Sequence, residues 1–246
     1  MDRRAAPRWA VLGLAVVVIG GLIVGVSLAT QTPSTPTSTP TVVRLTPSAS
    51  SVVASDPVPA LTPVRYFQFD KKWAKQAYGP NSGDTVRRWG CGPAAVAMVV
   101  ASLSDPSVDP GVASRWSQKH GYFTHAPESG KTEPAFFADF AAGYGVQVRQ
   151  LNTGDLRSAS PASARAVKLR AQQAVRDGDW VIALMGKGLW TTEAHYVLWY
   201  RAEGDQVWIA DSNSQREDKA HNTFSVFSQT MIRLWVVDVG AAGVQR

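Results

Sequence analysis

Gly90-Cys91-Gly92-Pro93-Ala94-Ala95-Val96-Ala97-Met98-Val99-Val100-Ala101-Ser102-Leu103 opens on a glycine-flanked thiol and runs on as an almost unbroken apolar stretch. Pro93 stands where the first turn of a helix accepts proline, because the amide hydrogen it lacks has no intrahelical partner there. The stretch from Ala94 to Leu103 therefore predicts a helix with Cys91 at its N-terminus. Unpaired amides and about half a positive charge at that end favour an ionised thiol, and glycine on both sides leaves room for a substrate carbonyl.

Cys91 is the single cysteine of the 246-residue chain. No intrachain disulfide can form, and the bland role for such a thiol is that of a small buried hydrophobe. A nucleophile needs a base. His195 opens the β-favouring run His195-Tyr196-Val197-Leu198-Trp199, after the loop Gly186-Lys187-Gly188, which places it at the edge of a cleft. Across the Glu203-Gly204-Asp205 hairpin, Val207-Trp208-Ile209-Ala210 leads to Asp211. Antiparallel pairing can bring that carboxylate beside the imidazole and fix its tautomer, with Asn213 as the alternative orienter.

Around these residues the chain divides into a helix-rich half and a strand-rich half. Tyr66 to Asp70 reads as a short strand and Tyr78 to Gly83 as a turn-rich loop. Helices are predicted over Asp109 to Lys119, Glu133 to Ala142 and Pro161 to Arg176, the last two stopped by Gly143 and Gly178. From Trp180 the pattern turns to strands over Val181 to Met185, His195 to Arg201, Gln206 to Asp211 and Leu234 to Val239. Helices first and antiparallel strands second indicate an α+β domain, residues 65–240, with a helical part packed on a C-terminal antiparallel sheet and a short tail over 241–246.

The N-terminal quarter has a different composition. Residues 1–8 hold Arg3, Arg4 and Arg8, and the uncharged run from Trp9 to Ala29 has the length of roughly 20 residues that a helix needs to cross a bilayer. Arginines before the span and no basic residue just after it orient the N-terminus to the cytoplasm. The expectation is a single-pass anchor with the folded domain outside the cytoplasm. The alternative is a secreted protein cleaved after Ser27-Leu28-Ala29, where small residues suit a signal peptidase. Residues 30–64 are rich in Thr, Ser and Pro and cannot bury enough apolar surface to offset chain entropy, so they read as an extended disordered linker.

The net charge of +6 is spread without a basic run or aromatic interleaving, which excludes a nucleic-acid partner. No cofactor is called for, and no metal: His120 and His125 lack a third ligand at a recognisable spacing, and His221 lies among charged loop residues. Trp190, shortly before His195, suits a substrate-binding cleft wall as readily as a core.

The set Gly90-Cys91-Gly92-Pro93-Ala94-Ala95-Val96-Ala97-Met98, then His195-Tyr196-Val197 and Ile209-Ala210-Asp211, resembles the peptidase C39-like family of papain-type folds, over roughly Tyr66 to Val239. It departs at Ser212, where many relatives have proline, and lacks the transporter segments of the bacteriocin-processing members. The resemblance implies a papain-like cysteine peptidase with Cys91 as nucleophile, His195 as base and Asp211 as orienter. It also implies that Gln68, in Phe67-Gln68-Phe69-Asp70, donates to an oxyanion, although 23 positions separate it from Cys91. The partner would be a peptide or cell-wall peptide substrate, and a transpeptidase would use the same residues. The alternative function is a weakly catalytic or non-catalytic peptide or cell-wall binding module on the same fold.

Overall fold

The structure is a computed structural model that describes residues 61–126 and 130–242. The span read as an anchor, 9–29, the N-terminal 1–8, most of the 30–64 linker and the last residues of the tail lie outside the described residues. Among the described residues no helix is long and apolar enough to cross a membrane.

The domain is α+β. Its helices are α1 (Val86–Trp89), α2 (Cys91–Leu103), α3 (Pro110–Lys119), α4 (Phe136–Ala142) and α5 (Pro161–Arg176), followed by short α6 (Glu217–Ala220) and α7 (Phe224–Phe227). The strands β1 (Val148–Gln150), β2 (Trp180–Met185), β3 (His195–Glu203), β4 (Gln206–Asp211), β5 (His221–Thr223) and β6 (Met231–Val237) form one sheet in the order β1-β6-β2-β3-β4-β5. Every neighbouring pair is antiparallel.

Helix α2 is buried at every position but Ser102. A helix apolar all round has to lie inside, and the spacing of its side chains lets it touch α3, α4 and the sheet at once. The exception is used: Ser102 Oγ donates to the Met98 carbonyl at 2.6 Å and accepts the Val64 amide at 2.8 Å. Leu61 packs on the same core. The folded domain thus takes in residues 61–64, which the Thr/Ser/Pro composition placed in the linker.

Two cores flank the sheet. On one face Ile182 and Leu184 of β2, Tyr196 and Leu198 of β3, and Trp235 of β6 pack with α2 and with Phe136, Phe137 and Phe140 of α4. On the other, Val181, Ala183 and Met185 of β2 and Val197 and Trp199 of β3 meet Val167, Ala171 and Val175 of α5. Because successive strand residues point to opposite faces, a strand covered on both sides is apolar throughout, and β2 is buried at all six positions. The sequence placed the helices in a single group on the sheet; α5 instead covers the far face.

Several local signals give these boundaries. Ser160 caps α5 by accepting the Ser163 amide, and Pro161 takes the first helical position. Asp109 caps α3 in the same way through Val112. Gly204, at φ +57°, holds the first central position of the β3–β4 turn, where a left-handed backbone favours glycine. Tyr66 to Asp70 does not form the strand its alternating aromatics predict. The Phe67 carbonyl is taken locally by the Asp70 amide and the Trp73 indole, and Phe67 stacks on Phe69 with ring centroids 5.1 Å apart.

Candidate active site

Cys91 is the first residue of α2, 5% exposed, with Gly90 as its N-cap. The turn is tight because α1 ends at Trp89, one residue before that cap. A Cβ at Gly90 would lie 2.4 Å from the Val86 carbonyl oxygen, and one at Gly92 would lie 2.5 Å from Thr132 Oγ1. The flanking glycines are therefore required by close protein contacts on both sides of the thiol, a reason different from the substrate access that their position suggests.

His195 begins β3 and Asp211 ends β4. The register pairs Val197 with Asp211, so His195 lies two residues along from Asp211's partner and on the same face of the ladder. From there His195 Nε2 and Asp211 Oδ1 meet at 2.7 Å. Both are buried, at 3% and 1% exposure. The other side of the ring hydrogen-bonds the Cys91 side chain. With Nε2 committed to Asp211, the nitrogen left for the thiol is Nδ1.

The electrostatics follow from this chain of contacts. Burial by itself pushes the His195 ring towards its neutral form, and it is the largest influence; hydrogen bonds and charge from Asp211 and Cys91 together outweigh it and raise the pKa to about 10. The imidazole is thus held as a cation between two groups that can be anions. Asp211 Oδ1 also accepts the Asn213 amide at 2.7 Å, while Oδ2 is buried without a hydrogen-bond partner among the described residues. Asn213 contributes its backbone to the carboxylate, and the ring partner is Asp211.

Gln68 is 3% exposed and joined to both arms of the site. Its backbone amide donates to the Ser212 carbonyl at 2.8 Å, its Oε1 accepts from Ser212 Oγ at 3.1 Å, and its Nε2 donates to the Arg87 carbonyl at 2.7 Å. Ser212 directly follows Asp211, and Arg87 lies in the short helix before Cys91, so Gln68 staples the strand end carrying the carboxylate to the segment carrying the thiol. One amide hydrogen is used on Arg87 and the second is available. The 23-position gap does not displace it, because the residues between fold on themselves around Trp73, Tyr78 and Val86.

Two partners were not legible in the sequence. Ser212, where the sequence departs from the proline of many members of the resembled family, is fully buried and fixes Gln68 through its hydroxyl. Thr132, also fully buried, packs against Gly92. Both are small hydroxyl residues with no local pattern to mark them. Trp190 is not brought to this group: it is 2% exposed in the core on the α5 face, edge-on to Phe227 at 5.2 Å, with its indole donating to the Lys219 carbonyl at 3.0 Å. His120 stacks on Trp116, and His221 stacks on Trp208. Among the described residues no three His, Cys, Asp or Glu side chains gather to hold a metal.

A thiol that shares a proton with a cationic imidazole, backed by a buried carboxylate, can act as a nucleophile and then return a proton to a leaving group. Comparison with protein-family models gives no match, and comparison with curated proteins gives none either.

Proposed function

We propose that this domain is a thiol hydrolase of the papain-like, C39-like type that cleaves peptide or amide bonds. The observation that carries the reading is the buried hydrogen-bonded series Cys91, His195, Asp211, in which His195 Nε2 lies 2.7 Å from the carboxylate. The thiolate of Cys91 attacks the carbonyl carbon, and the oxyanion that forms takes the second amide hydrogen of Gln68 and the backbone amide at the helix start. The C–N bond then breaks as the His195 imidazolium protonates the amine, which leaves a thioester on Cys91. Water adds to the thioester with His195 accepting its proton, the C–S bond breaks, and the carboxylate product departs as thiolate and imidazolium are restored. Asp211 acts on the reacting atoms only through the ring and is a positioning residue.

The apolar span 9–29 and the Thr/Ser/Pro linker support a place for this chemistry outside the cytoplasm, on a tethered domain facing peptide or cell-wall peptide substrates. Digestion of a mixed peptide library by the full chain, read by mass spectrometry, tests the activity. New peptide termini that appear with the wild type and vanish with Cys91→Ala support it; equal product from both chains, or none from the wild type, overturns it.

A further inference from the structure

A groove of about 370 Å³ has Trp89, two residues before the Cys91 thiol in the chain, in its wall. Two cations lie over that indole: the Arg88 guanidinium is 4.8 Å from the ring centroid and the Lys131 ammonium 5.4 Å. Asp84 also lines the groove, but its carboxylate is already occupied. Oδ1 accepts the Trp89 indole N–H at 2.8 Å, and Oδ2 accepts the backbone and side-chain nitrogens of Asn81 at 3.0 and 2.8 Å. Neither Arg88 nor Lys131 forms an ion pair among the described residues. The groove therefore presents two cations against one carboxylate, Asp84, on which the Arg88 charge also acts.

Lys131 is held there at a conformational cost. Among the described residues it is the one non-glycine residue with positive φ, at +62°, a region that residues with a Cβ avoid. Its ammonium donates to the His125 carbonyl at 2.7 Å and lies over Trp89. The next residue, Thr132, is the one that presses on Gly92, so the strained turn is attached directly to the nucleophile's helix. Backbone strain that persists beside a reactive group is a mark of function more than of stability.

We propose that this groove is a substrate subsite for a carboxylate, which makes an acidic peptide the preferred substrate class of the thiol site; the inference rests on the peptide-hydrolase reading above. The carboxylate would sit between Arg88 and Lys131, with adjoining apolar atoms on the Trp89 face. Arginine offers it a planar two-hydrogen fork and lysine a point charge. The carboxylate could belong to an Asp or Glu side chain or to a peptide C-terminus.

The test is capture, which needs no turnover. The full chain carrying Cys91→Ser is immobilised and exposed to two peptide libraries: one amidated at the C-terminus and containing Asp, Glu, Asn and Gln, the other without acidic side chains but present as both free acid and amide. Retained peptides are quantified by mass spectrometry. The expected result is enrichment of carboxylate over amide by at least about threefold at 50 mM salt, weaker at 500 mM, in whichever library holds the right source. Arg88→Gln with Lys131→Gln should abolish it. Lys131→Gly should weaken the enrichment and raise the melting temperature, since glycine accepts this φ and the variant is then demonstrably folded. No carboxylate preference in either library, or a preference unchanged in the double variant, overturns the subsite. Failure of the hydrolase reading is separately visible, because it appears in the reactivity of Cys91 and not in capture by the groove, which the Cys91→Ser chain retains.

Discussion

His195 Nε2 and Asp211 Oδ1 stand 2.7 Å apart in a site where neither residue is more than 3% exposed. That contact fixes which face of the ring meets Cys91, and it opposes the desolvation that would otherwise keep the imidazole neutral. Asp211→Asn keeps the shape but removes the charge and lets the ring settle in the wrong tautomer. Peptide hydrolysis by this variant is expected to fall by about 10²–10⁴, in kcat more than in KM. Steady-state kinetics checks this, and an unchanged kcat would remove Asp211 from the mechanism.

The raised pKa of His195 also makes stability depend on pH. A group that binds its proton more tightly when folded stabilises the fold fully below its unfolded value, near 6.5, and that contribution is lost as the pH rises through about 10. The urea midpoint of the wild type should therefore exceed that of His195→Gln by most near pH 6, with the gap narrowing towards pH 10. A gap that widens with pH would contradict the charged ring.

Gly92→Ala places a methyl 2.5 Å from Thr132 Oγ1 on a fully buried side chain, so Thr132 or the helix start must shift. Overpacking of this kind costs about 1–3 kcal/mol. The melting temperature should fall, and Thr132→Ala in the same chain should restore part of the loss by vacating the space. Absence of any rescue would show that the contact does not limit the site.

Gln68→Ala leaves the buried Ser212 hydroxyl and the half-buried Arg87 carbonyl without their partner, which costs about 1–3 kcal/mol of stability. Loss of an oxyanion donor lowers kcat by about 10²–10³ in addition. Gln68→Glu keeps the shape and an acceptor for Ser212 but brings no amide hydrogen. If Gln68 were only a staple, hydrolysis would survive in whichever variant remained folded.

How far these features could be read from the sequence depended on how local their causes are. The α5 boundaries follow from Ser160, Pro161 and the turn at Gly178, and the β3–β4 hairpin follows from Gly204, so both were legible. Cys91 at a helix start was legible for the same reason, since Pro93 and the apolar run are adjacent to it. The edge strands β1 and β5 are three residues long and partly polar, and they exist only because a longer strand pairs with them. Which face α5 covers is decided by Val167, Ala171 and Val175 finding the far side of the sheet, a choice periodicity cannot express. Trp190 illustrates the same limit: proximity to His195 in sequence said nothing about its place in the opposite core. Ser212 matters through a contact with Gln68, 144 residues away.

Because Cys91 is the chain's single cysteine, its alkylation by iodoacetamide reports on the site alone. The rate measured against pH, in the full chain and in His195→Ala, tests the central claim most directly. Proton sharing with a cationic His195 predicts fast alkylation of the wild type at pH 6, well below the range in which a free cysteine becomes reactive, and loss of that fast reaction in the variant. Profiles that superimpose, or a thiol slow at every pH in both chains, would contradict it.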